Sequence, residues 1–144
     1  MIHALDASLP GHRRVRIRSK DIDVVVLAVS IAPTLPLDEL WISFGSSKQI
    51  CYLPAHTIAT SLGREKEGVL PMLHALTACH PVSFFCERGN KTVWDVWDLL
   101  PELTRVLKAM LMLPDDIEDT CLDVIDIFLI LLYDRTYKQP QQSQ

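Results

Sequence analysis

Apolar and polar positions change rhythm several times along this chain, and each change marks an element. Residues 15–18 alternate, with Val15 and Ile17 on one parity and Arg14, Arg16, Arg18 and Lys20 on the other. A period of two is the signature of a short strand with one apolar face. The polar break Ser19-Lys20-Asp21-Ile22-Asp23 follows, and then residues 24–29 form a continuous apolar run of Val, Leu and Ala. Its β-branched residues suit a buried strand, and Asp23 just ahead of it equally suits a helix start. Periodicity leaves both open, and Pro33 and Pro36 close the element either way.

Residues 39–45 and 48–53 read as two strands joined at Ser46-Ser47, a hairpin. Residues 54–62 read as a helix that stops at Gly63, a residue suited to the C-terminal cap. Residues 65–78 are helical again, because Val69, Met72, Leu73 and Leu76 recur at helix spacing, with Pro71 a place to kink. A loop at residues 79–90 precedes two helices at 91–100 and 101–113, and Pro101 fits the first turn of the second. Asp115 or Asp116 is placed to cap a last helix. Its apolar stripe is Ile117, Cys121, Val124, Ile125, Phe128, Leu131 and Leu132, and Glu118, Asp119, Asp123 and Asp126 form its wet face. The order is a small strand-bearing N-terminal half and a helical C-terminal half, an α/β class, with no internal repeat.

Composition narrows this picture. A chain of 144 residues, 49% hydrophobic and 22% charged, has the length and balance of one globular domain rather than of a disordered or fibrous chain. The expected organisation is a single domain over residues 1–137 and a polar, Gln-rich, disordered tail over 138–144. The longest unbroken apolar run, residues 127–133, is far short of the ~20 residues that span a bilayer. The N-terminus lacks the layout of a signal peptide, since Asp6, Arg13 and Arg14 interrupt it. Cys51, Cys79, Cys86 and Cys121 include no Cys-x-x-Cys pair and read as reduced thiols. An intracellular protein, cytoplasmic or nuclear and without a membrane segment, is expected. The net charge of −4 excludes a generally basic nucleic-acid coat. It is unevenly spread: residues 1–72 hold 8 basic and 7 acidic groups, residues 73–144 hold 6 and 11. A local basic patch stays compatible with this balance.

Asp21-Ile22-Asp23 is the first candidate for chemistry. Two carboxylates one residue apart at the end of a strand can reach a shared Mg²⁺ or Mn²⁺, whose usual task is phosphoryl transfer. The same spacing also fits a solvated turn or a helix cap. The context adds to the pair. The stretch His3-Ala4-x-Asp6-Ala7, then Gly11, Val15-x-Ile17-Arg18 and Asp21-x-Asp23-Val24-Val25-Val26-Leu27-Ala28 resembles a known family. So do Leu37-Asp38-Glu39-Leu40-Trp41-x-x-Phe44-Gly45, Leu70-Pro71-x-x-His74-Ala75-Leu76-Thr77, Gly89-x-Lys91-Thr92-x-Trp94 and Leu131-Leu132-Tyr133-Asp134-Arg135-Thr136. These motifs, in this order over residues 2–136, resemble transposon-associated proteins of animal genomes that carry a PIN-like domain, similar to the flap-endonuclease/XPG nucleases.

The resemblance implies a PIN-like α/β fold and a degenerate nuclease. In such nucleases an Asp-x-Asp after a strand supplies metal ligands, here Asp21 and Asp23. A Gly-Cys-Asp loop brings a further carboxylate, and here that loop reads Ala78-Cys79-His80, with both the glycine and the aspartate replaced. A Glu-x-x-Asp cluster and a first strand with its own aspartate would lie ahead of His3, so the resemblance implies a copy lacking its N-terminal part. Two-metal hydrolysis needs several carboxylates around two cations about 3.5–4 Å apart. Asp21, Asp23 and His80 make a degenerate set, and imidazole is a poor ligand for Mg²⁺. Weak Mg²⁺ or Mn²⁺ binding without efficient cleavage is the expectation. In the same relatives the loop leads into a helical element that grips DNA by its backbone. Arg88, Gly89, Asn90, Lys91 and Thr92 occupy that place: a glycine turn before a helix start, with two cations, is phosphate-binding chemistry.

Three other constellations weigh less. Arg13, Arg14, Arg16, Arg18 and Lys20 are the one dense basic cluster, able to hold nucleic acid or simply to protect an edge strand from aggregation. His74, Cys79, His80 and Cys86 could bind Zn²⁺ chemically, but their spacing matches no standard zinc site. Trp41, Trp94 and Trp97 read as core or interface anchors rather than a base-stacking platform. Two functions follow: a catalytically decayed nuclease-like domain that contacts DNA, or a protein-interaction module. In the second, the face left by the missing N-terminal half would take a partner or another copy of the chain.

Overall fold

A computed structural model describes residues 11–77, 91–112 and 115–133. The chain is mixed α/β and divides into two compact units, Met1–Glu87 and Arg88–Gln144.

The N-terminal unit begins with β1 (Arg14–Ser19), α1 (Ile22–Ile31) and a 3₁₀ turn (Ala32–Thr34). It continues with β2 (Glu39–Ser46), β3 (Gln49–Pro54), α2 (Ala55–Leu62) and α3 (Arg64–Thr77). β1 and β2 pair in parallel, with α1 as their crossover, and β2 and β3 form an antiparallel hairpin, so the three-stranded sheet has the order β1-β2-β3. The run at 24–29 is thus a helix, not a strand, and the residue that caps it is Asp21 rather than Asp23. Valine is an indifferent helix former. Burial decides here: Val25, Val26, Ala28 and Val29 are all inaccessible, so the helix is apolar around most of its girth and sits inside the unit. Leu40, Ile42 and Phe44 of β2, Leu53 of β3, Ala55 and Ala59 of α2, and Val69, Leu70 and Leu73 of α3 complete this core.

The hairpin turn falls one residue later than its sequence suggests, at Ser47-Lys48, with Ser46 still paired to Gln49. Gly45 has φ +123°, and a Cβ there would run into the carbonyl oxygen of Gln49. At Gly63, φ is +81° and the amide closes α2 on the carbonyl of Ala59. The same residue's carbonyl then accepts from Glu67, so α3 starts at once, and that helix continues through Pro71. Where β3 has turned into α2, His56 takes its place beside β2. Its Nδ1 lies 3.1 Å from both the N–H and the carbonyl oxygen of Leu40 and satisfies one or the other according to tautomer.

The C-terminal unit holds α4 (Lys91–Leu99), α5 (Glu102–Leu111) and α6 (Asp119–Tyr133). Val93, Val96, Trp97, Leu100, Leu103, Val106 and Leu107 are buried, as are Ile125 and Phe128 of α6. The buried Trp97 indole donates to Thr104 Oγ1 at 2.9 Å and stacks on Trp94. The last helix starts later than Asp115 or Asp116. Glu118 is the residue whose carbonyl accepts from Cys121 and Leu122, which is the role of an N-cap. The stripe read on α6 does face inward at Phe128 and Ile125, with Cys121, Val124, Leu131 and Leu132 half-buried and the acidic residues outside. Among the described residues no helix is long and apolar enough to cross a membrane.

Candidate functional site

The acid pair lies where β1 hands over to α1. β1 ends at Ser19, whose hydroxyl accepts from the Asp21 amide at 3.0 Å and pins the bend. Asp21 is extended (φ −99°, ψ 123°), and its Oδ1 accepts from the amide of Asp23 at 2.9 Å. That is N-capping: one free amide of the first turn is satisfied, and a negative charge sits at the positive end of the helix. Asp23, two residues on, points across to α3. Its Oδ1 is 2.7 Å from His74 Nε2, an imidazole 17% exposed facing a carboxylate 66% exposed. The pair joins the first turn of α1 to the last turn of α3. With Val26, Leu27, Pro71 and Ala75 it lines an open groove of about 360 Å³. The 51-residue separation of Asp23 and His74 left no local signal, although both residues stand in the motifs quoted above.

The donors described here do not make a two-cation site. Asp21 Oδ1 is engaged by backbone, Asp23 Oδ1 by an imidazole, and among the described residues no three His, Cys, Asp or Glu side chains gather as a metal-holding group. His80, with the Ala78-Cys79-His80 loop, lies outside the described residues, and so do Arg88, Gly89, Asn90 and Cys86. Lys91 and Thr92 open α4. His74, a member of the Zn²⁺-capable set, is instead the partner of Asp23.

A second surface emerges from the strand register. Partners across β1 and β2 are Arg14 with Glu39, Arg16 with Trp41 and Arg18 with Ser43; across β2 and β3 they are Trp41 with Pro54, Ser43 with Tyr52 and Gly45 with Ile50. Partnered residues share a face. One side of the sheet therefore carries Val15, Ile17, Leu40, Ile42 and Leu53 toward the core, and the other carries three guanidiniums, an indole and a phenol. Trp41 is thus a half-buried sheet-face residue, in contrast to the buried core residue Trp97. Its Nε1 donates to Glu39 Oε2 at 2.9 Å, and its ring meets His56 edge-on at 5.8 Å. Glu39 Oε1 is 3.2 Å from Arg14 Nε. Arg14, Val15, Arg16, Trp41 and Tyr52 line an open cleft of about 320 Å³, at the small end of ligand-sized pockets.

The start of this ladder is clamped. Arg13 Nε and Nη2 reach Asp38 Oδ2 and Oδ1 at 2.8 and 2.7 Å, while the amides of Asp38 and Glu39 donate to the Arg13 carbonyl. The hydrogen bonds from Arg13, helped by its charge, hold the Asp38 carboxyl below the usual carboxylate range, and the same bonds raise Arg13 further. No protein family, no curated protein and no solved structure matches this chain.

Proposed function

We propose that this chain is a nuclease-like α/β domain of the PIN kind whose acid pair has passed to structural work, so that it contacts nucleic acid without cleaving it efficiently. The observation that carries the reading is the place of Asp21 and Asp23, at the carboxyl end of a parallel strand and the start of its crossover helix. Open α/β sheets receive their ligands outside the carboxyl ends of parallel strands. An acid pair there is in the position for phosphodiester chemistry. The partners of that pair support the second half of the reading. A carboxylate that caps a helix and one that pairs with an imidazole are committed to the fold, and hydrolysis through two cations asks for more carboxylates than these.

The test is a titration of Mg²⁺ or Mn²⁺ with flap, duplex and single-stranded DNA, scored for binding and for cleavage, on the full chain and on Asp21→Asn and Asp23→Asn. Cleavage at background in all three is expected. Cleavage by the full chain that disappears in either variant would overturn the reading, because a contaminating nuclease would not respond to those changes.

A further inference from the structure

We propose that the outer face of the β1-β2-β3 sheet is a binding surface for single-stranded RNA, with the phosphates along β1 and the bases lying over Trp41 and Tyr52. The proposal is independent of the acid pair and stands on a different part of the unit.

Charge comes first. Alternate residues of a strand lie ~6.7 Å apart on one face, so Arg14, Arg16 and Arg18 form a row of cations rather than a point. Glu39 compensates Arg14, whereas Arg16 and Arg18 are exposed and have no carboxylate partner among the described residues. Guanidiniums present planar forks suited to phosphate oxygens. The second component is aromatic. The register sets Trp41 on the strand beside Arg16, and sets Tyr52 in line with Arg18 across the small Ser43. Both rings line the cleft that Arg14 and Arg16 also line. Tyr52 is 57% exposed, unusual for a ring with nothing to cover, and Ile50 beside it is 37% exposed. Trp41 is held by Glu39 and by His56, so its ring is placed before any ligand arrives.

A cation row flanked by rings fits a strand whose bases are unstacked, since every base offers a π-face and the backbone can follow the charges. A duplex hides those faces, so it is not the occupant. Glu39 decides between RNA and DNA. A carboxylate repels phosphate, so its presence among the arginines costs affinity, yet it accepts hydrogen bonds. Its two oxygens keep acceptor capacity beyond Arg14 and Trp41. The ribose 2′-hydroxyl is the donor that RNA has and DNA lacks.

The experiment is fluorescence anisotropy on the full chain with a labelled unstructured RNA, the DNA of the same sequence, and the RNA duplex. RNA is expected to bind more tightly than DNA and duplex, with log affinity falling against log salt at roughly −0.7 per phosphate neutralised. Tyr52→Ala, an exposed position, should weaken binding at least fivefold, about the lower bound for one stacked base, with an unchanged thermal melt. Arg16→Ala and Arg18→Ala should each weaken binding and flatten the salt slope, whereas Arg105→Ala, exposed on α5, should do neither. Glu39→Met, which removes both acceptor oxygens at similar side-chain length, should bring RNA and DNA together. Absence of RNA binding at low salt overturns the proposal and leaves the arginine row as edge protection only. Full binding in Tyr52→Ala overturns the stacking surface, and an Arg105→Ala loss equal to that of Arg18→Ala reduces the effect to bulk charge. Equal affinity for DNA in the unaltered chain overturns the assignment to RNA.

Discussion

At Asp21 the carboxylate begins a helix, and that use is measurable apart from any ligand. Asp21→Ala removes the acceptor for the Asp23 amide and should cost about 1 kcal/mol, while Asp21→Ser keeps a cap and should recover most of it. Urea melts of the two variants check this, and an equal loss in both would show that the cap is not what the carboxylate contributes. Gly45 is the stricter position. Its positive φ and the nearby Gln49 carbonyl both oppose a Cβ, so Gly45→Ala should lower the melting temperature and disturb the Ser47-Lys48 turn in amide spectra. Asp38 contributes an acid dependence. Its folded pKa lies below its unfolded one, so the Arg13 pair contributes stability above the ordinary carboxylate pKa, and that contribution is lost as pH falls through the depressed folded value. Both groups are exposed, so the readout is the titration itself. The Asp38 carboxyl carbon should titrate below free aspartate by NMR, and Arg13→Gln should return it to the ordinary range.

Among the elements, α6 depends most on one residue. Phe128 has no exposed surface, and Phe128→Ala should cost roughly 3–5 kcal/mol in a denaturant melt, with the chain still sedimenting as before. A more monomeric variant of unchanged melting temperature would instead mean that Phe128 serves an interface between chains. How well each element could be read in the sequence follows from how local its cause is. The hairpin, the stop at Gly63 and the apolar stripe of α6 are written in neighbours, and they stand within a residue or two of where pattern places them. Pattern places the start of α6 too early because Asp115 and Asp116 both suit an N-cap, whereas the helix starts on the backbone carbonyl of Glu118. For α1, strand propensity and cap chemistry point opposite ways, and only its surroundings decide. The Asp23–His74 pair and the aromatic-cation face were not legible at all, because one needs α1 docked on α3 and the other needs the pairing of β1 with β2 and β3.

On the scale of the molecule, the described part of each unit has its own core, and the charge is divided as well, with the arginine row in the first and the acidic α6 in the second. A cation held by the native chain alone would raise its melting temperature through linkage. Melts in excess Mg²⁺ and in chelator are expected to differ little, since one oxygen of Asp21 already holds an amide and one of Asp23 an imidazole, and a metal-dependent rise would expose a site. The alternation of β1 has one more effect, on the search for this fold. A parallel strand with no hairpin to align it can slide, and a slide of one place would drive Arg14, Arg16 and Arg18 under α1 while turning Val15 and Ile17 out to water. That error is too costly to persist. A slide of two places keeps the faces right but tears the Arg13 fork from Asp38. The row of arginines thus rejects the odd errors by burial, and the exposed clamp at its head adds a smaller bias against the even ones, to which the row is blind.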